Sequence, residues 1–424
     1  MIKNLTITNW NQFNDVNIDL HPQVTIITGT NGSGKSTIVR LVSTLLGWEY
    51  KEIATPKKSP DFKFHLSPGT SIEEHLDNLN QEILMGINHI KIGSLTSEKG
   101  VLEFNVPKDI NEVSYSLTTF ATNHDSLAIN GISIASHRIP YTYSALKSIP
   151  VKPMTKGEAY FNYNDALKKR TIPNNYYNPL EDVPTSHVKA TLLSLALFGQ
   201  DNDYIKGDKE SYRIFKRFIE ILKILLPETL GFKEINIING EVILVTATGN
   251  FLIDSVSGGI GAIIDLAWQI YMYDNENGDP FLVVIDEIEN HLHPSMQRNV
   301  LPNLVKAFPN AQFIVTTHSP FVVNSVSESH VYALKYNDRN KVCSYKLDLV
   351  NKSSDALEIL RDILGVPVTL PIWIEEKLDL ILEKYRDTEL TAQTFTSLKN
   401  DLNEIGLSNH IPQALNFLQR GASK

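Results

Sequence analysis

The chain has 424 residues, enough for about two or three domains, and its 42% hydrophobic and 21% charged content is ordinary for a soluble globular protein. A formal net charge of -9 argues against wholesale coating of nucleic acid, although a local basic groove is compatible with it. The lone cysteine, Cys343, excludes an internal disulfide, and no apolar run approaches the roughly 18 residues needed to span a bilayer. We therefore expect a cytoplasmic protein with no membrane partner.

The first informative segment is a glycine-rich loop between a strand and a helix. Residues 2–8 and 16–20 alternate like half-buried strands, and the apolar run Val24–Ile27 follows them. Next comes G-T-N-G-S-G-K-S-T at Gly29–Thr37, and then a helix-compatible stretch, Ile38–Leu46. In this context the pattern G-x-x-x-x-G-K-[ST] predicts a phosphate loop, whose backbone N–H groups and helix N-terminus hold a nucleoside triphosphate.

The side chains of this loop have separate expected roles. Lys35 would reach the β- and γ-phosphates, and the Ser36 hydroxyl would coordinate Mg²⁺. The predicted cofactors are therefore ATP and Mg²⁺. The nucleotide-binding residues expected in this loop are Asn31, Gly32, Gly34, Lys35, Ser36 and Thr37.

The segment up to about residue 250 predicts a long mixed insertion. Lys51–Pro68 is polar and contains Pro and Lys, which predicts a loop, and Asn130-Gly131 is a turn signal. The pattern is helical from Ser144 to Leu230 and β-rich from Glu234 to Asp254. Further strands are predicted at Ile90–Leu95, Val101–Val106, Val113–Leu117 and Ser126–Ile134.

Two acids follow a second buried strand. Phe281–Ile285 is apolar, and Asp286 and Glu287 come at its carboxyl end, where ligands bind in open α/β sheets. Asp286 is expected to hold Mg²⁺, and Glu287 to polarise the attacking water. The apolar strand Phe313–Thr317 then ends at His318, whose neutral imidazole could hydrogen-bond the γ-phosphate or that water.

A second anion site is predicted at Ser257-Gly258-Gly259, which opens an apolar helix over Ala262–Met272. Free N–H groups and the positive end of the helix dipole favour a phosphate there. One chain rarely needs two γ-phosphate sites, whereas a head-to-tail dimer does, because each chain can then cap the ATP held by the other. The alternative is a helix N-cap with a flexible turn.

In order and type, these motifs resemble those of ABC-type ATPases, and more narrowly the SMC/RecF/OLD-like branch. The marks of that branch are Asn9–Phe13, Asp286–Pro294 and Thr317–Pro320. The resemblance implies an α/β fold: a P-loop NTPase with an ABC-type head (mixed sheet plus antiparallel β subdomain), an inserted helical lobe and a helical C-terminal tail. It also implies that Glu287 is the catalytic base and His318 the switch histidine.

Several residue assignments rest on this resemblance. Ser257 and Gly258 map to the trans-acting signature, although the sequence reads V-S-G-G-I rather than L-S-G-G-Q. No glutamine fits the family's Q-loop. Arg138 is the substitute, with a solvated surface arginine as an equal alternative. The segments expected are an ATPase lobe at 1–140, the helical lobe at 141–233, the second ATPase half at 234–349 and the tail at 350–424.

The remaining sequence bears on function. Long coiled-coil arms need sustained heptads, and the sequence has none. After His318 the sequence has no predicted strand followed by an Asp-x-Asp pair, so we expect the chain to lack a nuclease centre of its own. In the tail, Phe395, Leu398, Leu402 and Ile405 share a face that is either core-facing or a partner interface. Tail helices are predicted at Ser354–Leu364, Ile372–Tyr385, Leu390–Ile405 and Ile411–Arg420.

The architecture resembles the stand-alone ATPases of bacterial antiphage systems of the Septu and PARIS types, which work beside a nuclease. It implies an ATP-hydrolysing homodimer or higher oligomer that controls a separate effector nuclease. A RecF-like DNA-repair ATPase, with DNA as a possible partner, is the main alternative. A membrane-transporter ABC subunit is disfavoured by residues 290–294 and by the missing glutamine.

Overall fold

The computed structural model describes residues 1–58, 64–70, 89–108, 110–122, 128–146, 148, 150–171, 183–201, 203, 206–347, 372–385 and 391–404. The chain forms two compact units, Met1–Ala356 and Leu357–Lys424. None of the helices in the described ranges is both long and apolar enough to cross a lipid bilayer.

The described elements are numbered in chain order. The strands are β1 (Ile2–Trp10), β2 (Phe13–Asp19), β3 (Val24–Gly29), β4 (Lys51–Ile53), β5 (Thr55–Lys58), β6 (Phe64–Ser67), β7 (His89–Ser97), β8 (Gly100–Pro107), β9 (Ser114–Ser116), β10 (Thr118–Ala121), β11 (Gly131–Ile134), β12 (Phe232–Ile238), β13 (Glu241–Thr246), β14 (Gly249–Leu252), β15 (Phe281–Ile285), β16 (Ala311–Thr317), β17 (His330–Tyr336) and β18 (Val342–Leu347). The helices are α1 (Lys35–Thr44), α2 (Lys156–Thr171), α3 (Pro184–Phe198), α4 (Lys209–Leu225), α5 (Gly258–Tyr273), α6 (Pro294–Ala307), α7 (Pro320–Val323), α8 (Ile372–Tyr385) and α9 (Ala392–Glu404).

The first unit is built on a mixed eleven-stranded sheet with the order β10-β8-β7-β1-β2-β18-β17-β3-β16-β15-β11. Five neighbours, β17, β3, β16, β15 and β11, run parallel. Every residue of β3, β15 and β16 is buried, as expected for parallel strands covered on both faces. The carboxyl ends of β3, β16 and β15 therefore lie side by side at one edge of the sheet.

The other half of the sheet is antiparallel. Strands β10, β8, β7, β1 and β2 pair antiparallel in that order, and β18 joins the two halves by pairing parallel with β2 and antiparallel with β17. Side chains from both halves share one hydrophobic core. This is the predicted α/β class, a mixed sheet with an antiparallel β subdomain.

The loop predicted at Lys51–Pro68 is wrong, because this stretch contains the short strands β4, β5 and β6. β4 pairs with β9, and β5 pairs with β6, where Pro56 lies opposite Leu66. Among the described strands β5 pairs only with β6, in this two-stranded sheet, so its other edge forms no ladder with any of them. A proline, which has no backbone N–H to donate, is tolerated in such an edge strand. Proline in a short edge strand therefore gives the same local sequence signal as proline in a loop.

The turn predicted at Asn130-Gly131 is also wrong. Gly131 is the first residue of β11, which pairs parallel with β15. A Cβ atom at Gly131 would lie 2.5 Å from the carbonyl oxygen of Leu282, so glycine is needed there for close approach of two strands.

Helices α2, α3 and α4 form the predicted helical segment between β11 and β12. It begins later than predicted, because residues 141–146 form a link without regular structure and α2 starts at Lys156. The predicted β-rich segment is confirmed as the three-stranded sheet of β12, β13 and β14. A short 3₁₀ helix, Ile253–Ser255, then leads to α5.

The second unit contains α8 and α9. Leu398 and Leu402 of α9 are fully buried and belong to the core of this unit, while Phe395 is 38% exposed. Ile405, the fourth member of the predicted face, lies outside the described residues. Asp401 joins the two helices by accepting hydrogen bonds from Lys384 Nζ and the Tyr385 hydroxyl, both at 2.8 Å. The helices predicted at residues 354–364 and 411–420 lie outside the described residues.

Candidate nucleotide site

The phosphate loop connects β3 to α1, and its glycines have backbone conformations that other residues rarely adopt. Gly32 and Gly34 have φ angles of 80° and 91°. A Cβ atom at Gly34 would also lie 2.4 Å from Cζ of Phe13, so the tip of the β1–β2 hairpin packs directly on the loop. Gly34 is the N-cap of α1 and has no side chain to cap it. The N–H groups at the start of α1 are thus available to an anion.

Lys35 lies under the loop and is 4% exposed. Its ammonium donates hydrogen bonds to the carbonyl oxygens of Gly29 and Thr30, both at 3.0 Å. Burial lowers the pKa of Lys35 to about 8, against the opposing effect of the Glu287 and Asp286 carboxylates. The charge is therefore held in a desolvated place, where a triphosphate would interact with it strongly.

Asp286 joins the loop to the end of β15. Its Oδ1 accepts hydrogen bonds from the Ser36 hydroxyl at 3.3 Å and from the Thr316 hydroxyl at 2.5 Å. The Thr316 oxygen in turn accepts a hydrogen bond from the backbone N–H of Glu287 at 2.8 Å. A single threonine of β16 thus fixes both acids that follow β15.

This oxygen pair fits Mg²⁺, which prefers hard oxygen ligands and is commonly held by one or two carboxylates together with substrate phosphates. The Ser36 hydroxyl and the Asp286 carboxylate supply two such oxygens in contact with each other. In the described part of the chain no group of three or more His, Cys, Asp and Glu side chains could hold a metal ion. Phosphate and water oxygens would have to complete the ligand shell.

Glu287 is held in an unusual backbone conformation, with a φ angle of 44°. Its Oε2 accepts a hydrogen bond from the Asn290 amide at 2.7 Å, and its Oε1 lies 3.9 Å from Nε2 of His318. Both side chains are about one third exposed, so solvent can reach them. Burial and the nearby Lys35 charge lower the pKa of His318, and its imidazole is therefore neutral at pH 7.

Glu289 ties the turn after β15 to the end of β16. One carboxylate oxygen accepts the backbone N–H of His318 at 2.5 Å, and the other accepts the Thr317 hydroxyl at 2.7 Å. The two bonds fix the backbone at the predicted switch histidine. Glu289 thus acts on the site through His318.

Arg138 is 7% exposed, which excludes the solvated surface arginine considered above. Its guanidinium donates to the carbonyl oxygens of Asn290 at 3.0 Å and Glu287 at 3.4 Å. Burial lowers the pKa of Arg138, and the carboxylates of Asp265 and Glu289 oppose that shift. Arg138 therefore holds the backbone of the turn that follows β15, and a direct contact with nucleotide stays a prediction.

The predicted signature lies at the exposed N-terminus of α5. Ser257 is the N-cap residue but its side chain makes no capping hydrogen bond, which argues against the simple N-cap alternative. Ser257 and Gly258 are exposed, and a Cβ atom at Gly259 would lie 3.0 Å from the His291 carbonyl oxygen. No hydrogen bond described here joins these three residues to the phosphate loop of the same chain.

Three members of this site carry no predicted role from the sequence: Thr316, Glu289 and Asn290. The sequence feature that could have indicated Thr316 is the pair of threonines that ends an otherwise apolar strand. For Glu289 and Asn290, it is the presence of an acid and an amide within four residues of Asp286. His293, in the same segment, is the N-cap of α6, because its Nδ1 accepts a hydrogen bond from the backbone N–H of Ser295.

Comparison with known proteins gives several relatives. The chain is 22% identical to Septu protein PtuA of Bacillus thuringiensis over 93% of this chain and 91% of the relative. It is 23% identical to the Retron Vc95 probable ATPase of Vibrio cholerae, over 85% of this chain and 78% of the relative. It is also 33% identical to the Retron Ec83 probable ATPase of Escherichia coli, but over only 30% of this chain and 23% of that relative's length.

Among solved structures, the SMC head domain from Thermotoga maritima matches with a TM-score of 0.43 and 14% identity, over 82% of this chain and 99% of that one. A family model described as "AAA domain, putative AbiEii toxin, Type IV TA system" matches residues 24–324. The matched range contains the phosphate loop, the signature, both acids and His318. The chain belongs to this AAA-domain family.

Proposed function

We propose that this protein binds and hydrolyses ATP in a head-to-tail dimer and controls a separate effector nuclease in bacterial antiphage defence. The observation that carries the ATPase part is the contact of Ser36 with Asp286. These residues lie 250 positions apart, yet their hydroxyl and carboxylate meet beside the buried ammonium of Lys35. A triphosphate-Mg²⁺ complex needs this set of groups in one place.

The chain's own residues divide the work of hydrolysis. Lys35 and the N–H groups at the start of α1 bind the phosphates, and Mg²⁺, when bound, would neutralise charge on their oxygens. Glu287 accepts a proton from the attacking water, while Asn290 holds the other carboxylate oxygen and so orients the free one. The neutral His318 imidazole can donate or accept a hydrogen bond next to that water.

The dimer is proposed from the signature. Ser257 and Gly258 are exposed at the end of a 16-residue helix, with free N–H groups and a positive dipole. A second chain in head-to-tail orientation could place this end against the γ-phosphate of the first. The site would then be complete only in the dimer, which gives ATP binding a way to control assembly.

The defence role is proposed from the relatives. A Septu protein and two retron ATPases match this chain, and the Septu protein matches over nearly its whole length. An endonuclease, GajA of Bacillus cereus, is also 22% identical over 74% of this chain and 54% of that relative. The functional residues recognised in this chain form a nucleotide site. Control of a separately encoded nuclease would fit such a chain.

The test of ATP hydrolysis is Glu287→Gln, which keeps the size of the side chain and removes the base. We expect ATP binding to persist and turnover to fall by about 10²-fold or more, with the variant accumulating as an ATP-bound dimer. Phosphate release and size-exclusion chromatography with ATP measure the two effects. Glu98→Gln, an exposed acid near the N-terminus, is the control. Unchanged turnover in Glu287→Gln would exclude its role as the base.

A further inference from the structure

A buried lysine of the helical segment is bonded to acids that lie close to the signature. Lys189, on α3, is 1% exposed. Its ammonium donates to Asp254 Oδ2 at 2.5 Å, to Glu241 Oε2 at 2.8 Å and to the carbonyl oxygen of Ser144 at 2.8 Å. An ammonium has three protons, so each donor has its own acceptor.

The three acceptors come from segments that meet at the entry to α5. Asp254 lies in the short helix Ile253–Ser255, immediately ahead of the signature. Glu241 begins β13, and Ser144 lies in the link at 141–146. The same link also packs on the first turn of α5, because a Cβ atom at Gly261 would lie 3.0 Å from Cδ2 of Tyr141. The entry to the signature helix is thus held both by α3 and by the link.

Stability alone explains this arrangement poorly. Taking charges out of water has a large desolvation cost, and well-packed apolar residues of similar volume often stabilise a core as much or more. Charge-assisted hydrogen bonds do fix direction, which apolar contacts do not. The cluster of Lys189, Asp254 and Glu241 therefore has the properties of a group that sets geometry at the start of α5.

We propose that Lys189 is a positioning residue for the signature, which fixes the N–H groups of Ser257–Gly259 in the orientation that the nucleotide of the partner chain requires. The inference rests on the proposed function, since it assumes a site shared between two chains. It assigns the helical segment a role in the partner's site rather than in the site of its own chain.

The test compares two variants. Lys189→Met leaves the carboxylates of Asp254 and Glu241 without their counter-charge, whereas Lys189→Met/Asp254→Asn/Glu241→Gln is neutral throughout and should recover the melting temperature lost by the single variant. In both we expect turnover to fall about 10-fold or more, while ATP affinity stays within about twofold. Lys156→Met is the matched control, because this lysine of α2 pairs with Glu276 at 3.2 Å and lies over the ring of Tyr271, near the opposite end of α5 from the signature. Full turnover in the neutral variant would overturn the proposal.

Mixed dimers decide which site Lys189 serves. Lys189→Met keeps its phosphate loop, so mixing it with Lys35→Ala should restore part of the turnover, and mixing it with Ser257→Arg should not. The reverse pattern, or recovery with neither partner in a mixture shown to contain mixed dimers, would overturn the proposal. Absence of turnover in the wild-type protein would instead contradict the proposed ATPase function.

Discussion

The phosphate-loop edge and the signature end of α5 differ in how they are held. At the first, Ser36, Asp286, Thr316 and Glu287 form a continuous chain of hydrogen bonds that joins the start of α1 to the ends of β15 and β16. At the second, the tip is exposed and its support comes from buried charges behind it, around Lys189. The first arrangement is complete in one chain, whereas the second leaves the N-terminus of α5 exposed. This difference is the reason for proposing a site divided between two copies.

The largest expected effect is that of Lys35→Ala on the first region. The variant removes the charge and donors that hold the β- and γ-phosphates, so ATP affinity should fall by about 100-fold or more. Titration with a fluorescent ATP analogue measures it, with the exposed Lys306→Ala as control. Wild-type affinity in Lys35→Ala would contradict the assignment of the phosphate loop.

An intermediate effect is expected from Thr316→Val, which removes the hydroxyl between Asp286 and Glu287 while keeping the shape of the side chain. Turnover should fall by about 10- to 100-fold, because both acids lose the group that orients them. The matched control is Thr25→Val. Thr25 is also fully buried, but its hydroxyl accepts the backbone N–H of His21 at 2.8 Å near the amino end of β3, at the opposite ends of the parallel strands from Thr316. Equal losses of turnover in the two variants would show that Thr316 has only a structural role.

The smallest expected effect is the uptake of protons when ATP binds. The pKa of Lys35 is lowered to about 8 in the free protein, and a bound triphosphate should raise it. At pH 8 Lys35 is about half protonated in the free protein and more fully protonated in the complex. Binding therefore takes up roughly half a proton per site at pH 8, and the affinity for ATP falls as the pH rises. Calorimetry in buffers of different ionisation enthalpy measures the uptake. The same uptake in Arg40→Ala would support the assignment to Lys35, and no uptake in the wild type would contradict it.

The sequence predicted the first region well because its chemistry demands fixed residue types next to strand ends. The phosphate loop, Asp286-Glu287 and His318 each follow an apolar run, and parallel strands bring such ends together. It could not predict Thr316 or Asn290, since a threonine in a strand and an asparagine in a turn have many structural uses.

The second region was predicted only at its tip. Ser257-Gly258-Gly259 is visible as a motif, whereas Lys189 looks like any helical lysine until the fold brings Glu241 and Asp254 to it. Local signals also misled where tertiary contacts decided the outcome: Pro56 lies in an edge strand, and Gly131 meets a neighbouring backbone. Contacts between residues distant in sequence leave little trace in local patterns.

The central claim, that one active site is built from two chains, is tested most directly by mixing two inactive variants. Lys35→Ala lacks a working phosphate loop, and Ser257→Arg blocks the signature with bulk and charge. Random pairing makes about half the dimers mixed, each with one intact site, so an equal mixture should recover up to about a quarter of the wild-type ATP turnover. No recovery in a mixture shown to contain mixed dimers would contradict the account.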